Sequence, residues 1–266
     1  MSTTHHRLAI LDWGIGGLGF YKLLKSRHPD LPVLYFSDAG AVPYGRLSEP
    51  LLAERLRVVM RHLSERGVDR VVVACNAAST VLPLLRHDTT LPGVIGVIEH
   101  GIGAVREKGV GSREKGRNNE VGVIGGERTI RSGVYGRALR GDGYRVVQRV
   151  AQPLSALIER GEIDSPALHA ALARILAPLC DVDLLLLACT HYAAITDAIE
   201  RHLPDAVIID PIDGMMRWIE REWELAGGEG EDLFLTSGDS GEMIDAAWKA
   251  FGVKIGTAHT CLAPTQ

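Results

Sequence analysis

What most limits the folds open to this chain is a series of short, almost purely apolar runs, each followed by a turn and a stretch with helical spacing. Residues 8–11, 33–36, 71–74 and 94–97 form the first four runs, with helical patterns over 20–26, 49–66 and 78–86. The series continues through 121–124, 144–150, 184–188, 207–209 and 233–236, with helices expected over 129–139, 165–178, 215–223 and 241–251. Unbroken Val, Ile and Leu runs suit strands covered on both faces, as in parallel sheets. Repeated strand–helix units build open α/β sheets. Residues 106–119 interrupt the rhythm with five basic residues, two acidic residues and three glycines, which predicts a solvated loop. The halves on either side of it are organised alike. The expected architecture is therefore two pseudo-symmetric α/β lobes, each a mostly parallel sheet flanked by helices, with a cleft between them.

Composition excludes several classes. A chain of 266 residues suits one large domain or two lobes. With 23% charged residues it has an ordinary globular balance, and a net charge of −4 gives no global electrostatic reason to bind nucleic acid or an acidic membrane. The apolar run at 184–188 is far too short to span a bilayer, and residues 1–7 have no apolar signal-peptide core. The four cysteines show no CxxC pairing, which fits a reduced, cytoplasmic setting.

Ligands of open α/β sheets collect at the carboxyl ends of strands. The residues ending the apolar runs are Asp12, Asp38, Cys75-Asn76, Glu99-His100, Gly125-Gly126, Cys189-Thr190-His191 and Asp210. Two of these ends match: Ala74-Cys75-Asn76 in one half and Ala188-Cys189-Thr190 in the other. Each cysteine precedes a helical segment, where the partial positive charge of a helix start lowers a thiol pKa. A single free cysteine is commonly a small core residue, but two at corresponding positions point to chemistry. A metal needs further ligands, and only His191 is close in sequence, so none is expected. Cys180 and Cys261 lack this context. His191 could hydrogen-bond the Cys189 thiol or shuttle its proton, or make a local bond at a helix start. Asp12 could act as a proton acceptor or as a helix cap. A rival reading exists: Gly14 to Gly19 fits G-x-G-x-x-G, and Asp38 lies where a ribose-binding acid of a dinucleotide fold would stand. Trp13 is bulky for that motif, and the reading leaves both cysteine turns unexplained.

Taken together, these residues resemble the glutamate racemases of the cofactor-independent aspartate/glutamate racemase superfamily. The matching pieces, in order, are Asp12-Trp13-Gly14-Ile15-Gly16-Gly17-Leu18, Asp38 with Pro43-Tyr44-Gly45, and Ala74-Cys75-Asn76. Thr129 with Ser132 and Tyr135, Glu159-Arg160-Gly161, Cys189-Thr190-His191-Tyr192 and Asp210 follow. The resemblance implies a first lobe of residues 7–98 plus 211–256, a second of 99–210, and tails at 1–6 and 257–266. It implies two-base racemisation without cofactor or metal: Cys75 acting on the D-isomer, Cys189 on the L-isomer, assisted by Asp12 and by His191 with Glu159. Asn76 and Thr190 would bind substrate carboxylate or amine, and the Tyr44-Gly45 backbone would hold the side-chain carboxylate. Trp13, Pro43, Ala77 and Thr129 would complete the substrate pocket. The implied partner is an amino acid, with neither nucleic acid nor membrane, in a cytoplasmic enzyme that supplies a D-amino acid for peptidoglycan. A homodimer is the oligomeric form to test.

Three positions depart from the family pattern. Trp13 stands where the family has Ser, Ala77 where it has Thr, and Gly126 where it has Thr. Each lost hydroxyl would cost a buried carboxylate about 1–3 kcal/mol of binding. Either Trp13 fills the space left by Ala77 and Gly126 and selects a smaller or less acidic side chain, or it points into the core and glutamate still binds. The alternatives are a racemase of another amino acid, a related lyase, isomerase or decarboxylase, and a non-catalytic binding homologue.

Overall fold

The computed structural model describes residues 8–114, 119–225, 227, 228 and 230–261. The strands are β1 (Leu8–Asp12), β2 (Val33–Ser37), β3 (Arg70–Val73), β4 (Gly93–Gly96), β5 (Glu120–Gly125), β6 (Arg145–Val150), β7 (Leu184–Ala188), β8 (Val207–Ile209), β9 (Leu233–Thr236) and β10 (Ala258–Thr260). Helices α1 (Leu18–Arg27), α2 (Glu49–Ser64), α3 (Asn76–Ser79) and α4 (Ile98–Glu114) belong to the first part of the chain. The second part holds α5 (Glu127–Ser132), α6 (Val134–Gly141), α7 (Gln152–Glu159), α8 (Pro166–Leu176) and α9 (Thr196–His202). Helices α10 (Pro211–Glu222) and α11 (Ser240–Phe251) follow.

Two sheets form, and every pairing within them is parallel. The first is six-stranded, in the order β10-β9-β2-β1-β3-β4; the second is four-stranded, β6-β5-β7-β8. The two-sheet α/β architecture expected from the apolar runs is present. Strands β1, β2, β5 and β7 are buried along their whole length, which is why they carry no polar alternation. Edge strand β6, with sequence RVVQRV, is half-buried to exposed. One apolar cluster takes in Ile10, Leu18 and Phe20 beside the first sheet, Ile124, Leu154 and Leu187 of the second, and Met215 and Met216 of α10. The two sheets thus share a core. No helix among the described residues is long and apolar enough to cross a membrane.

The register sets up the site. Leu11 pairs with Val73, so Asp12 and Cys75 leave the same end of the first sheet. Gly125 pairs with Ala188, which puts Gly126 and Cys189 at the corresponding end of the second.

Several expected elements differ. The loop expected over 106–119 is helical through Glu114, and residues 115–118 lie outside the described residues. Helix α4 begins upstream on buried Ile98 and Val105, and its charged continuation is held by Arg106 to Asp142 at 2.8 Å and Glu107 to Arg217 at 2.9 Å. Those partners are remote in sequence, so the segment looked like free solvated charge. The helix expected over 78–86 is reduced to α3 and a 3-10 turn, Leu82–Leu84, because Pro83 cannot continue an α-helix. The pattern over 129–139 is split into α5 and α6 at Gly133, whose φ of 67° is left-handed. Helices α7 and α9 were not anticipated. In the segment expected to be a C-terminal tail, Ala258–Thr260 pairs with β9; residues 1–7 and 262–266 lie outside the described residues.

Candidate active site

A cavity of about 490 Å³ opens where the carboxyl ends of β1 and β3 meet those of β5 and β7. Cys75 and Cys189 both line it, one from each sheet. Asp12, Glu159 and His191 line it as well, as do Trp13, Pro43, Tyr44, Gly45, Asn76, Ala77, Thr129 and Thr190. The cavity thus gathers every residue that the resemblance gave a catalytic or substrate-binding role, whereas Asp38, Glu99, His100, Gly125 and Asp210, which also end apolar runs, do not line it. It also includes residues that sequence reasoning did not single out as site residues: Arg46, Glu127, Arg128, Gln152 and Ser155. Among the described residues, no three His, Cys, Asp or Glu side chains come together as a ligand set for a metal ion. A larger surface hollow of about 660 Å³ beside β4 contains neither cysteine of this pair.

Cys75 follows β3 and stands at the N-terminus of α3 with 9% of its surface exposed. The expectation that a helix start lowers its pKa does not hold. Burial, and then the charge of Asp12, push the thiol well above its ordinary value, outweighing the N–H groups of Ala78 and Ala77. Helix α3 has only four residues, too short to build a large terminal charge. Asp12 is itself held above the usual carboxylate range by burial, against the charge of His191 and hydrogen bonds from Gly14 N and Thr190. Gly14 N donates to Asp12 Oδ1 at 3.2 Å, and Thr190 Oγ1 donates to Oδ2 at 2.9 Å. Strand β1 therefore hands its carboxylate to a residue of the opposite sheet.

Cys189 has a different neighbour set. Its Sγ lies 3.8 Å from His191 Nδ1 and 3.5 Å from Ser155 Oγ. On the far side of the ring, His191 Nε2 is 2.5 Å from Glu159 Oε1, which also accepts from Ile15 N at 3.2 Å. Burial pulls the imidazole down, but the hydrogen bonds with Cys189 and Glu159 and the Glu159 charge prevail and raise it well above its ordinary value. Glu159 stays below the usual carboxylate range despite burial, because His191 and Ile15 N stabilise the ionised form. The result is a thiol–imidazole–carboxylate chain.

The glycine-rich turn after β1 makes this chain reachable. A Cβ on Gly16 would lie 2.5 Å from His191 Nδ1 and 2.6 Å from Thr190 Oγ1, so only glycine admits the opposite sheet's residues there. These glycines serve close packing across the cleft, which explains the G-x-G-x-x-G match without a nucleotide. Asp38 is likewise unavailable to a ribose: it is buried and held by Arg55 at 2.5 Å, Tyr44 at 2.7 Å and Ser237 at 2.8 Å.

At the other end of the cavity, Trp13 lines the wall while its Nε1 donates to Ala41 O at 3.1 Å and its body packs on the first sheet's core together with Ala77. Trp13 thus anchors one edge in the protein and borders the cavity with another. Arg128 crosses from α5 to donate to the carbonyls of Tyr44 and Leu47, strapping the Tyr44-Gly45 turn to the second sheet. Gln152 Oε1 accepts from Glu127 N at 3.2 Å and would lie 3.1 Å from a Cβ on Gly126. No sequence signal marked Arg128 or Gln152, because neither ends a strand nor belongs to a motif.

Fold and site together define a two-sheet α/β protein with a pair of cysteines, one from each sheet, lining one cleft. A family profile described as Asp/Glu/hydantoin racemase matches residues 25–217, and the chain belongs to that family. Its relatives include the glutamate racemase of Aquifex pyrophilus, 31% identical over 232 residues, covering 86% of this chain and 88% of that protein. The glutamate racemase of Thermus thermophilus is 33% identical over 257 residues, 94% of this chain and 92% of the other. Among solved structures, a Thermus thermophilus glutamate racemase in complex with β-chloro-D-alanine superposes with a TM-score of 0.80 at 28% identity, covering 97% of each chain. A glutamate racemase from Bacillus anthracis gives 0.82 at 26% identity, also over 97% of each.

Proposed function

We propose that this chain interconverts L- and D-glutamate by a two-cysteine acid–base mechanism that needs no cofactor. The observation that carries the reading is that Cys75 and Cys189 reach one cavity from different sheets, with the Asp12 carboxyl near the first and the His191 imidazole against the second. With the substrate's α-carbon between them, the Cys189 thiolate takes the α-proton of the L-isomer and the C–H electron pair passes into the α-carboxylate. The Cys75 thiol then delivers its proton to the opposite face, giving the D-isomer with Cys75 as thiolate and Cys189 as thiol. Running in reverse, or exchanging protons with water, resets the pair.

The surroundings support this starting state. Cys75, pushed well above its ordinary pKa, holds its proton at neutral pH, while the raised His191 supplies an imidazolium beside Cys189. An α-proton next to a carboxylate is very weakly acidic, so the site must stabilise the developing charge with fixed donors away from water. Asn76 offers such a donor in its unpartnered Nδ2, Thr190 lines the same cavity with its hydroxyl on Asp12, and closure of the cleft on the substrate would exclude solvent. Neither Tyr44 N nor Gly45 N has a backbone hydrogen-bond partner among the described residues, which suits them to a side-chain carboxylate.

Trp13 on the cavity wall favours a second reading, in which the preferred side chain is smaller or less acidic than that of glutamate. One assay separates the two: loss of optical activity for a panel of L-amino acids, without added cofactor. Glutamate turning over fastest supports the first reading, another amino acid turning over fastest supports the second, and no turnover contradicts both.

A further inference from the structure

A tyrosine outside the cavity lining decides which way a substrate-binding amide can point. Asn76 is 3% exposed and lines the cavity from the first sheet's side. Its Oδ1 accepts from Tyr135 Oη at 2.7 Å, and its Nδ2 is buried with no hydrogen-bond partner. Tyr135 is 1% exposed and comes from α6, on the second sheet's side. Its ring is seated on Gly101 of α4, where an added Cβ would lie 3.0 Å from both Cε1 and Oη. Burial, with Glu99 and Asp210 nearby, keeps the phenol protonated, so it is a donor at any working pH. Tyr135 Oη has no other acceptor among the described residues, so a flipped amide would leave its O–H unsatisfied; the favoured orientation keeps the amide oxygen on the hydroxyl and leaves the N–H₂ as the end that a ligand has to satisfy. A buried amide nitrogen without a partner carries a desolvation penalty, and a ligand acceptor removes it.

We propose that Tyr135 is a positioning residue that locks the Asn76 amide with Nδ2 towards the substrate, so that Asn76 recognises the α-carboxylate of the bound amino acid and not its ammonium group. The inference rests on the amino-acid racemase reading. Because Tyr135 and Asn76 belong to opposite sheets, the amide is aimed only while the two sides of the cleft are together. Without the hydroxyl, the amide is free to flip and present its oxygen, which repels a carboxylate.

The test is a double-mutant cycle with Tyr135→Phe, Asn76→Ala and the double variant, measuring KM and kcat for glutamate together with direct calorimetric binding of L-glutamate, L-aspartate and L-alanine. These three share the α-carboxylate and differ in side chain. Tyr135→Phe is expected to raise KM about tenfold with a smaller change in kcat. It should weaken binding by the same factor for every amino acid that binds, and have no further effect in the Asn76→Ala background. Additive effects in the double variant, or a loss confined to one side chain, would overturn the proposal, as would unchanged affinity in Tyr135→Phe. If Tyr135→Phe fails to fold, Gly101→Ala, which presses on the same hydroxyl, is expected to raise KM in the same direction; unchanged KM there would overturn the proposal too. A wild-type chain that binds none of the three contradicts the racemase reading and this inference with it, whereas wild-type binding with an unaffected Tyr135→Phe contradicts this inference alone.

Discussion

The two cysteine turns occupy matching places in matching sheets, yet their surroundings are opposite in kind. Cys75 packs with the first sheet's apolar core beside one buried carboxylate, and everything that dominates there favours the protonated thiol. Cys189 sits against an imidazole that is itself braced by Glu159. The lesson is that likeness of fold supplied two positions, and burial and neighbours then gave each a different environment. The proposed two-cysteine racemisation would benefit from that asymmetry, because it needs one thiol deprotonated while the other carries its proton.

The largest expected effect is from the sulfurs themselves. Cys75→Ser and Cys189→Ser should each lower kcat for glutamate by about 10³-fold or more, since a hydroxyl ionises far less readily than a thiol. Optical-activity decay measures this, and substantial retained turnover in either variant would make that cysteine structural only.

Next are the partners. His191→Asn and Asp12→Asn are each expected to cost about 10²-fold in turnover. The enantiomers are equal in energy, so kcat/KM must fall equally in both directions. The difference between the sites is therefore to be read in deuterium exchange into recovered substrate: His191→Asn should slow exchange of the L-isomer more, and Asp12→Asn that of the D-isomer. Equal slowing of both isomers in both variants would erase the proposed distinction.

A smaller, pH-dependent effect is expected at Glu159. The stability His191 gains from its raised pKa is fully present below its unfolded value of about 6.5 and is lost as pH rises through the higher folded value. Glu159→Gln removes the bracing charge, so the imidazolium gives up its proton at lower pH. The alkaline limb of the pH–rate profile should shift downward, with about a tenfold loss near its midpoint. An unmoved alkaline limb would mean that Glu159 does not tune the Cys189 side.

The smallest effect concerns the side-chain end of the cavity. Trp13→Ser gives up the bond to Ala41 O and part of the wall, and should cost about 1–2 kcal/mol in stability by thermal unfolding. It should also lower KM for glutamate several-fold relative to smaller amino acids. An unchanged preference would mean that Trp13 serves packing alone.

Much of this was legible in the sequence, for identifiable reasons. Buried parallel strands such as β1, β5 and β7 announce themselves as apolar runs, and the residues just beyond them are where such sheets bind ligands. That pattern marks Asp12, Cys75, Cys189 and His191 as site candidates. What escaped depends on partners remote in the chain. Helix α4 looked unfolded because Asp142 and Arg217, which hold its charges, lie far downstream. The acidity of Cys75 follows the burial imposed by the whole first sheet and not the few residues of the helix start beside it. The purpose of Gly16 appears only once His191 and Thr190 stand opposite it. Arg128 and Gln152 act through a backbone turn and a backbone amide, neither of which leaves a mark in the sequence.

The central claim, two non-equivalent thiols working on opposite faces of one stereocentre, is tested most directly by incubating Cys75→Ala and Cys189→Ala with each enantiomer of glutamate in D₂O. Proton NMR then follows the α-hydrogen. The account predicts that Cys189→Ala introduces deuterium into D-glutamate alone, that Cys75→Ala does so into L-glutamate alone, and that neither inverts its substrate. Exchange of both enantiomers by one variant, or inversion by either, would contradict it.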